Sequence, residues 1–417
     1  MSQRTANVAI ALSCAAALLS APAGAHAAKG MELALSDEGA FVDQRIGDRQ
    51  AAFAAARQLN ATRMRILVQW SRVSDANDPS PSAAPYYDWA PIDDAVDLAA
   101  RAGMRTMLTL TGPAPAYAAG NGRVSYPIVR PDPQRYADFV RAAVAHFKGR
   151  VDRYAIWNEP NYPAWLAPQG QSPQIYRALY EAGYAAVKSV DPAARVLIGE
   201  TVPYGGKVSY GRPAKRKRLG LATAPLRWLR AVACVDKRYR PIGHCTPLKA
   251  DGYAHHPYEL ALGRPPTASF PGKDNAPIQE LPRLGAALGR LARAKALTDA
   301  RGRPLSIYLT ESGYFVTGRR RLADAKRAKY LPQQFDVAAR TPGVRSMLQY
   351  NLYLPPGSPF STGLLNADGS PLPEWTSLLR WSSRAAASGL IKRNTGPIVL
   401  PPRQVESPWV PPEPSGP

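Results

Sequence analysis

Between about residue 30 and residue 385 the chain alternates short apolar runs with stretches of helical period. The apolar runs at 31–36, 64–70, 104–110, 151–157, 195–199, 250–254, 305–310 and 344–350 predict eight strands. Several read as continuous apolar runs, Val196-Leu197-Ile198 among them, as expected of parallel strands buried on both faces. The intervening stretches have helix grammar. After the second run, Asp88 is placed to cap a helix with Pro91 in its first turn, and Trp89, Ile92, Val96 and Ala100 follow at helical spacing. Gly103 closes that helix before the next strand. The fourth unit repeats the pattern: Ile175, Leu179, Ala182, Ala186 and Val190 line one face, and Asp191-Pro192 ends it. Eight strand–helix units in succession predict an α/β fold, a (β/α)8 TIM barrel.

Three segments fall outside this alternation. Residues 1–27 begin with Arg4, run through an Ala/Leu-rich stretch and end in Ala25-His26-Ala27, the layout of a secretory signal peptide. The apolar stretch is short for a membrane-spanning helix. Residues 203–248 form a long basic excursion between the fifth and sixth strands of a catalytic domain spanning 28–390. Residues 391–417 contain Pro-Pro twice and read as an extended or disordered tail.

Composition adds three constraints. An apolar content of 45% fits a globular chain with a large core. Cys14 leaves with the signal, so Cys234 and Cys245 remain, and in an oxidising compartment such a close pair reads as one disulfide. The formal charge is +22, with basic runs at Lys215-Arg216-Lys217-Arg218 and Arg319-Arg320-Arg321. That charge fits either a solvated, Arg-biased surface or association with anionic cell-envelope polymers, and it points to a monomer. Nucleic acid is not an expected partner: export separates the two, and no recognition motif accompanies the charge.

The chemistry concentrates at two strand ends. Tyr154-Ala155-Ile156-Trp157-Asn158-Glu159-Pro160-Asn161 carries an apolar strand straight into a carboxylate, and Ile307-Tyr308-Leu309-Thr310-Glu311-Ser312-Gly313 does the same. Strands four and seven stand opposite each other in an eight-stranded barrel, so Glu159 and Glu311 are expected to face one another across its C-terminal mouth. A close carboxyl pair is the requirement for glycoside hydrolysis with retention of configuration.

Asn158-Glu159-Pro160 after strand four, paired with Glu311 after strand seven, resembles the signature of the clan A glycoside hydrolases. The Trp-Asn-Glu-Pro-Asn form is similar to families 5 and 39, which include cellulases, mannanases and xylosidases. The resemblance covers about residues 30–385. It implies a retaining enzyme with Glu159 as acid/base, Glu311 as nucleophile and Asn158 on the sugar beside the scissile bond, acting on an oligo- or polysaccharide β-glycoside without metal or organic cofactor. It also implies that a residue after strand six orients the nucleophile: His256 and Tyr258, or His255 if the register differs by one. An arginine of strand two is expected to pair with the nucleophile. Arg65 is the first candidate and Arg63 its rival on the same face. Trp70 is a candidate sugar platform, as are Trp157, Trp165 and Tyr162, with Trp157 reading as core rather than platform. Strand eight departs from the pattern, since Gln349-Tyr350-Asn351 stands where the superfamily often has Trp. Tyr350 is the expected replacement. Glu200, Asp37 and Glu38 are further carboxylates at the same barrel face without the motif, and His146 reads as structural. Three other functions fit parts of the sequence: a non-catalytic glycan-binding barrel, a transglycosylase, and a basic envelope-attachment protein.

Overall fold

The computed structural model describes residues 30–404 apart from 75–84, 127, 207–220, 260–261, 319 and 359. Residues 1–27, expected to be a signal peptide, the run Lys215–Arg218 and Arg319 lie outside the described residues. Eight parallel strands close into a barrel: β1 (Glu32–Ser36), β2 (Arg63–Gln69), β3 (Arg105–Thr111), β4 (Val151–Ile156), β5 (Arg195–Thr201), β6 (Gly252–His255), β7 (Ile307–Leu309) and β8 (Val344–Tyr350). Each pairs with its chain neighbours, and β1 closes the ring on β8. The eight-unit reading is therefore correct, with boundaries moved by a few residues. The largest shift is at β6. Ala250 donates instead to Thr298 O at the end of a two-stranded ribbon, Leu248–Lys249 with Leu297–Thr298, while the Asp251 carboxylate holds Val196 N at 2.8 Å.

Helices cover the strands: α1 (Arg49–Gln58), α2 (Ala90–Arg101), α3 (Pro133–His146), α4 (Ser172–Val190), α5 (Pro225–Val232), α6 (Leu281–Arg293), α7 (Asp324–Arg340) and α8 (Pro373–Ala387). In α2 the stripe Ile92, Ala95, Val96 and Ala99 is buried; the N-cap is Trp89, and the expected cap Asp88 lies one residue ahead of it, accepting from Ala90 N at 3.0 Å. In α3 Asp132 accepts from Gln134 N and Arg135 N, holding an N-terminus whose Pro133 needs no partner.

The barrel interior is layered. Met107, Ala155, Leu197, Ala254 and Tyr308 fill its middle. Gly252 makes room for this plug, since a Cβ there would lie 2.3 Å from the Tyr308 ring. Below it, Glu32 accepts from Arg63 at 3.1 Å and Arg153 at 2.8 Å. Burial opposes the charge of Glu32, but the two guanidiniums outweigh it and hold the carboxyl far below its ordinary range. The tail to residue 404 runs extended and is fastened to this lower face. Ile391 is buried and bridges Met31, Asn394 donates to Ala61 O and Ala102 O at 2.6 and 2.9 Å, and Arg403 pairs with Asp94 and Asp97. The excursion's described part carries α5 and a disulfide between Cys234 and Cys245, whose Cα atoms are 6.2 Å apart.

Candidate active site

At the exit of β4 the backbone leaves the extended region. Trp157 and Glu159 both take positive φ, 67° and 42°, which L side chains disfavour. Two contacts hold this turn: Trp157 N donates to Leu110 O at 2.9 Å, and Glu159 N donates to Glu200 O at 3.0 Å. Asn161 then ties the turn to its neighbours. Its side chain donates to Val202 O and Thr223 O at 3.0 and 2.8 Å and accepts from Val202 N at 2.9 Å. Asn161 thus links β4 to the exit of β5 and to the returning excursion.

Glu159 and Glu311 meet in this frame. One carboxylate oxygen of each, with a ring nitrogen of His256, lie within 4.8 Å of one another. Glu159 Oε1 is 3.0 Å from His256 Nδ1. Glu311 accepts from Arg65 Nη1 at 2.9 Å and from Tyr258 OH at 3.1 Å, with His256 Nδ1 at 3.6 Å. Both carboxylates retain a little solvent access, 14% and 10% of the side chain.

Arg65 is fully buried and fully used. Its Nη2 donates to Glu200 at 2.5 Å and to Asn158 Oδ1 at 2.9 Å, and its Nε donates to Thr109 Oγ1 at 2.9 Å. Glu200 also faces His256 Nε2 at 3.6 Å. Burial would raise the Glu200 carboxyl, but Arg65 and His256 bring it below its ordinary value. Burial likewise acts against charge on His256, yet Glu311, Glu159 and Glu200 around it lift the imidazole to about 10. For Glu159 burial wins: it raises the carboxyl despite the hydrogen bond from His256.

Among the described residues, Glu159, His256 and Glu311 form the one group spaced to share a cation. The Arg65 guanidinium already occupies one side of Glu311 with fixed positive charge.

Each sequence-predicted residue now has a place. Of the two strand-two arginines, Arg65 reaches the carboxylates, while Arg63, on the same face but one layer lower, pairs with Glu32 and Asp152. Of the two histidines, His256 faces the site. His255 turns away to Thr201 Oγ1 and Ala276 O, where burial lowers it to about 3. His256 bonds most closely to Glu159, a contact the expected role of orienting the nucleophile did not include. Tyr350 is half-buried beside Phe360, with ring centroids 5.8 Å apart, in a cluster with Tyr258 and Phe315. Trp70 is not a platform. The chain enters a short helix, Trp70–Val73, directly after β2, and this turns the ring outward to stack on Phe139 of α3 at 5.3 Å. Trp157 is core as well, its indole N–H donating to Trp165 O at 2.9 Å. Trp165 stays half-buried against Tyr126, 5.5 Å away. Asp37 and Glu38 are clamps: Asp37 accepts from Leu352 N and Tyr353 N, and Glu38 from Leu67 N. His146 is structural, paired with Asp93. Tyr126, Phe360 and Asn161 were not singled out from sequence. Tyr126 and Phe360 lie in Pro-, Gly- and Ser-containing loops without periodicity, and only the position of Asn161 directly after Glu159-Pro160 marks it.

No family model matches the sequence, and no curated protein does. Solved structures do match. The chain is similar to a family 39 glycoside hydrolase from the gut symbiont Bacteroides cellulosilyticus WH2, at 20% identity and TM-score 0.59, covering 85% of this chain and 64% of that one. The chain shares its fold with glycoside hydrolases. It is also similar to the exo-β-1,4-mannosidase Op5Man5 from Opitutaceae bacterium strain TAV5, at 14% identity and TM-score 0.54, covering 86% of this chain and 60% of that one. Xylanase 10B from Thermotoga maritima matches at 15% identity and TM-score 0.51, covering 86% of this chain and 97% of that one. The chain thus spans less than two thirds of the first two.

Proposed function

We propose that this protein is an exported retaining β-glycoside hydrolase, with Glu159 as acid/base and Glu311 as nucleophile. The observation that carries the proposal is the approach of the two carboxylates to within 4.8 Å at the C-terminal mouth of the barrel. Retaining enzymes hold this pair about 5–5.5 Å apart, whereas inverting enzymes leave about 6.5–9.5 Å for a water.

The geometry divides the work. Glu311, held by Arg65 and Tyr258, presents a carboxylate for attack on the anomeric carbon. Glu159, its carboxyl raised by burial, keeps a proton for the leaving oxygen. After the glycosyl-enzyme forms, Glu159 takes a proton from water, which attacks the same carbon and releases sugar with configuration kept. Asn158, its Oδ1 held by Arg65, presents its amide nitrogen to a sugar hydroxyl. The half-buried Tyr350–Phe360 pair and the Tyr126–Trp165 pair, with Tyr162, are the candidate faces for sugar rings. The Cys234–Cys245 disulfide supports an oxidising, exported setting.

Azide rescue tests the roles. Glu159→Ala and Glu311→Ala are each expected to lose hydrolysis of aryl β-glycosides, and azide to restore turnover as a glycosyl azide. The product should be the β-azide from the Glu159 variant and the α-azide from the Glu311 variant. Hydrolysis that survives both substitutions refutes the assignment.

A further inference from the structure

At the opposite end of the barrel a cavity of about 1230 Å³ opens between the starts of β5, β7 and β8. Its lining is cationic in excess of its carboxylates. Glu32 is taken by Arg63, Arg153 and Lys392, Asp251 by Lys188 at 2.8 Å, and Asp299 by Arg303 at 2.9 Å. Three further guanidiniums, Arg195, Arg301 and Arg345, have no carboxylate within ion-pair distance among the described residues. Arg195 donates to Tyr308 OH at 3.0 Å and Arg345 to Ser306 Oγ at 3.3 Å, both neutral partners. Arg153 is buried in the lining, 4.5 Å over the Tyr308 ring, and its Nε has no hydrogen-bond partner. On the β2–β3 side of the same face Arg63 pairs with Asp152, Arg150 with Asp93 and Asp97, and Arg403 with Asp94 and Asp97.

We propose that this lower cavity binds a segment of an acidic polysaccharide, with Arg195, Arg301 and Arg345 pairing with its carboxylates. Three unmatched guanidiniums around one opening favour repeated anionic groups, and guanidinium forks suit carboxylates. The volume exceeds that of a pocket for one small ligand, which is about 300–1,000 Å³. The lone aromatic ring, Tyr308, is buried beneath Arg153, so charge and not stacking carries recognition. A polymer held here leaves the Glu159–Glu311 mouth free at the other end. The site stands apart from the proposed hydrolysis; only its use as a tether near substrate rests on that reading.

The test is calorimetric titration with oligogalacturonate, which reads binding without turnover. Arg195→Ser/Arg301→Ser/Arg345→Ser is compared with wild type and with the surface control Lys237→Ser/Arg238→Ser/Arg240→Ser. Folding is checked by thermal melting, and Arg301→Ser/Arg345→Ser replaces the triple variant if that melts early. Wild-type binding that weakens between about 0.05 M and about 0.5 M salt is expected, with a loss of about tenfold or more in the cavity variant and little change in the control. Equal losses in both variants, no binding by wild type, or inorganic phosphate binding as tightly with the same arginine dependence would each overturn the proposal. Phosphate behaving so would make the cavity a small-anion site.

Discussion

His256 carries more of the site's logic than either glutamate alone. It is a buried cation touching Glu159 and flanked by Glu311 and Glu200, so it couples these carboxyl groups to one another. The sign of its effect on Glu159 is fixed: a cation donating a hydrogen bond lowers a carboxyl. His256→Asn should therefore raise the Glu159 carboxyl further and move the alkaline limb of kcat/KM, where the acid loses its proton, up by about one pH unit. Activity should fall by about 100-fold through lost positioning. A pH–rate profile on an aryl glycoside checks both, and an alkaline limb that moves down would contradict the charge assignment. Residue chemistry of this kind was half legible in the sequence. Glu159 and Glu311 follow from residue type at a strand end, because a strand exit on the C-terminal face has few directions in which to point, whereas Arg65, inside β2, and Tyr258 follow only from the family resemblance. The choice between His255 and His256 turns on where β6 ends, and the apolar pattern places that end no better than a residue or two.

Among the elements, the exit of β4 depends on its neighbours. Trp157 and Glu159 sit in left-handed backbone, and such strain persists only where surrounding contacts fix it. Asn161 supplies three of those contacts from one buried amide. Asn161→Ala should cost about 2–3 kcal/mol, since it leaves Val202 and Thr223 groups without their partner. It should also lower kcat more than it raises KM, because Glu159 is displaced while the sugar-facing rings are untouched. Urea unfolding and steady-state kinetics separate the two effects. Strand and helix positions are readable from pattern, since the strands contain short apolar runs and the helices carry an apolar stripe. Trp70 was misread for a local reason. A tryptophan at the end of β2 has the composition of a platform, but the immediate turn into the helix Trp70–Val73 reverses its direction, and no residue type announces that turn.

For the molecule as a whole, the barrel separates two polar layers by the Met107–Tyr308 plug, with the carboxylate pair above and the arginine-rich face below. The tail to residue 404 belongs to the lower layer's stability and not to the chemistry. A chain ending at residue 390 loses the burial of Ile391, the Asn394 bonds and the Arg403 pairs. The expected loss is about 3–5 kcal/mol in the urea midpoint analysis, with kcat on an aryl glycoside unchanged. Pro-Pro pairs and weak apolar pattern indicated an extended segment there, but a single Ile and a single Asn give no periodicity from which docking could be read. The fastening also brings the backbone just before β1 beside the backbone just after α8. Gly30 N lies 3.0 Å from Gly389 O, and Met31 bridges Ile391 beside it. Two points so near can be spliced without disturbing a strand, though the splice forgoes the tail's contacts, and the same ring of staves could then be opened at another exposed loop, making which stave comes first a matter of circular permutation and not of architecture.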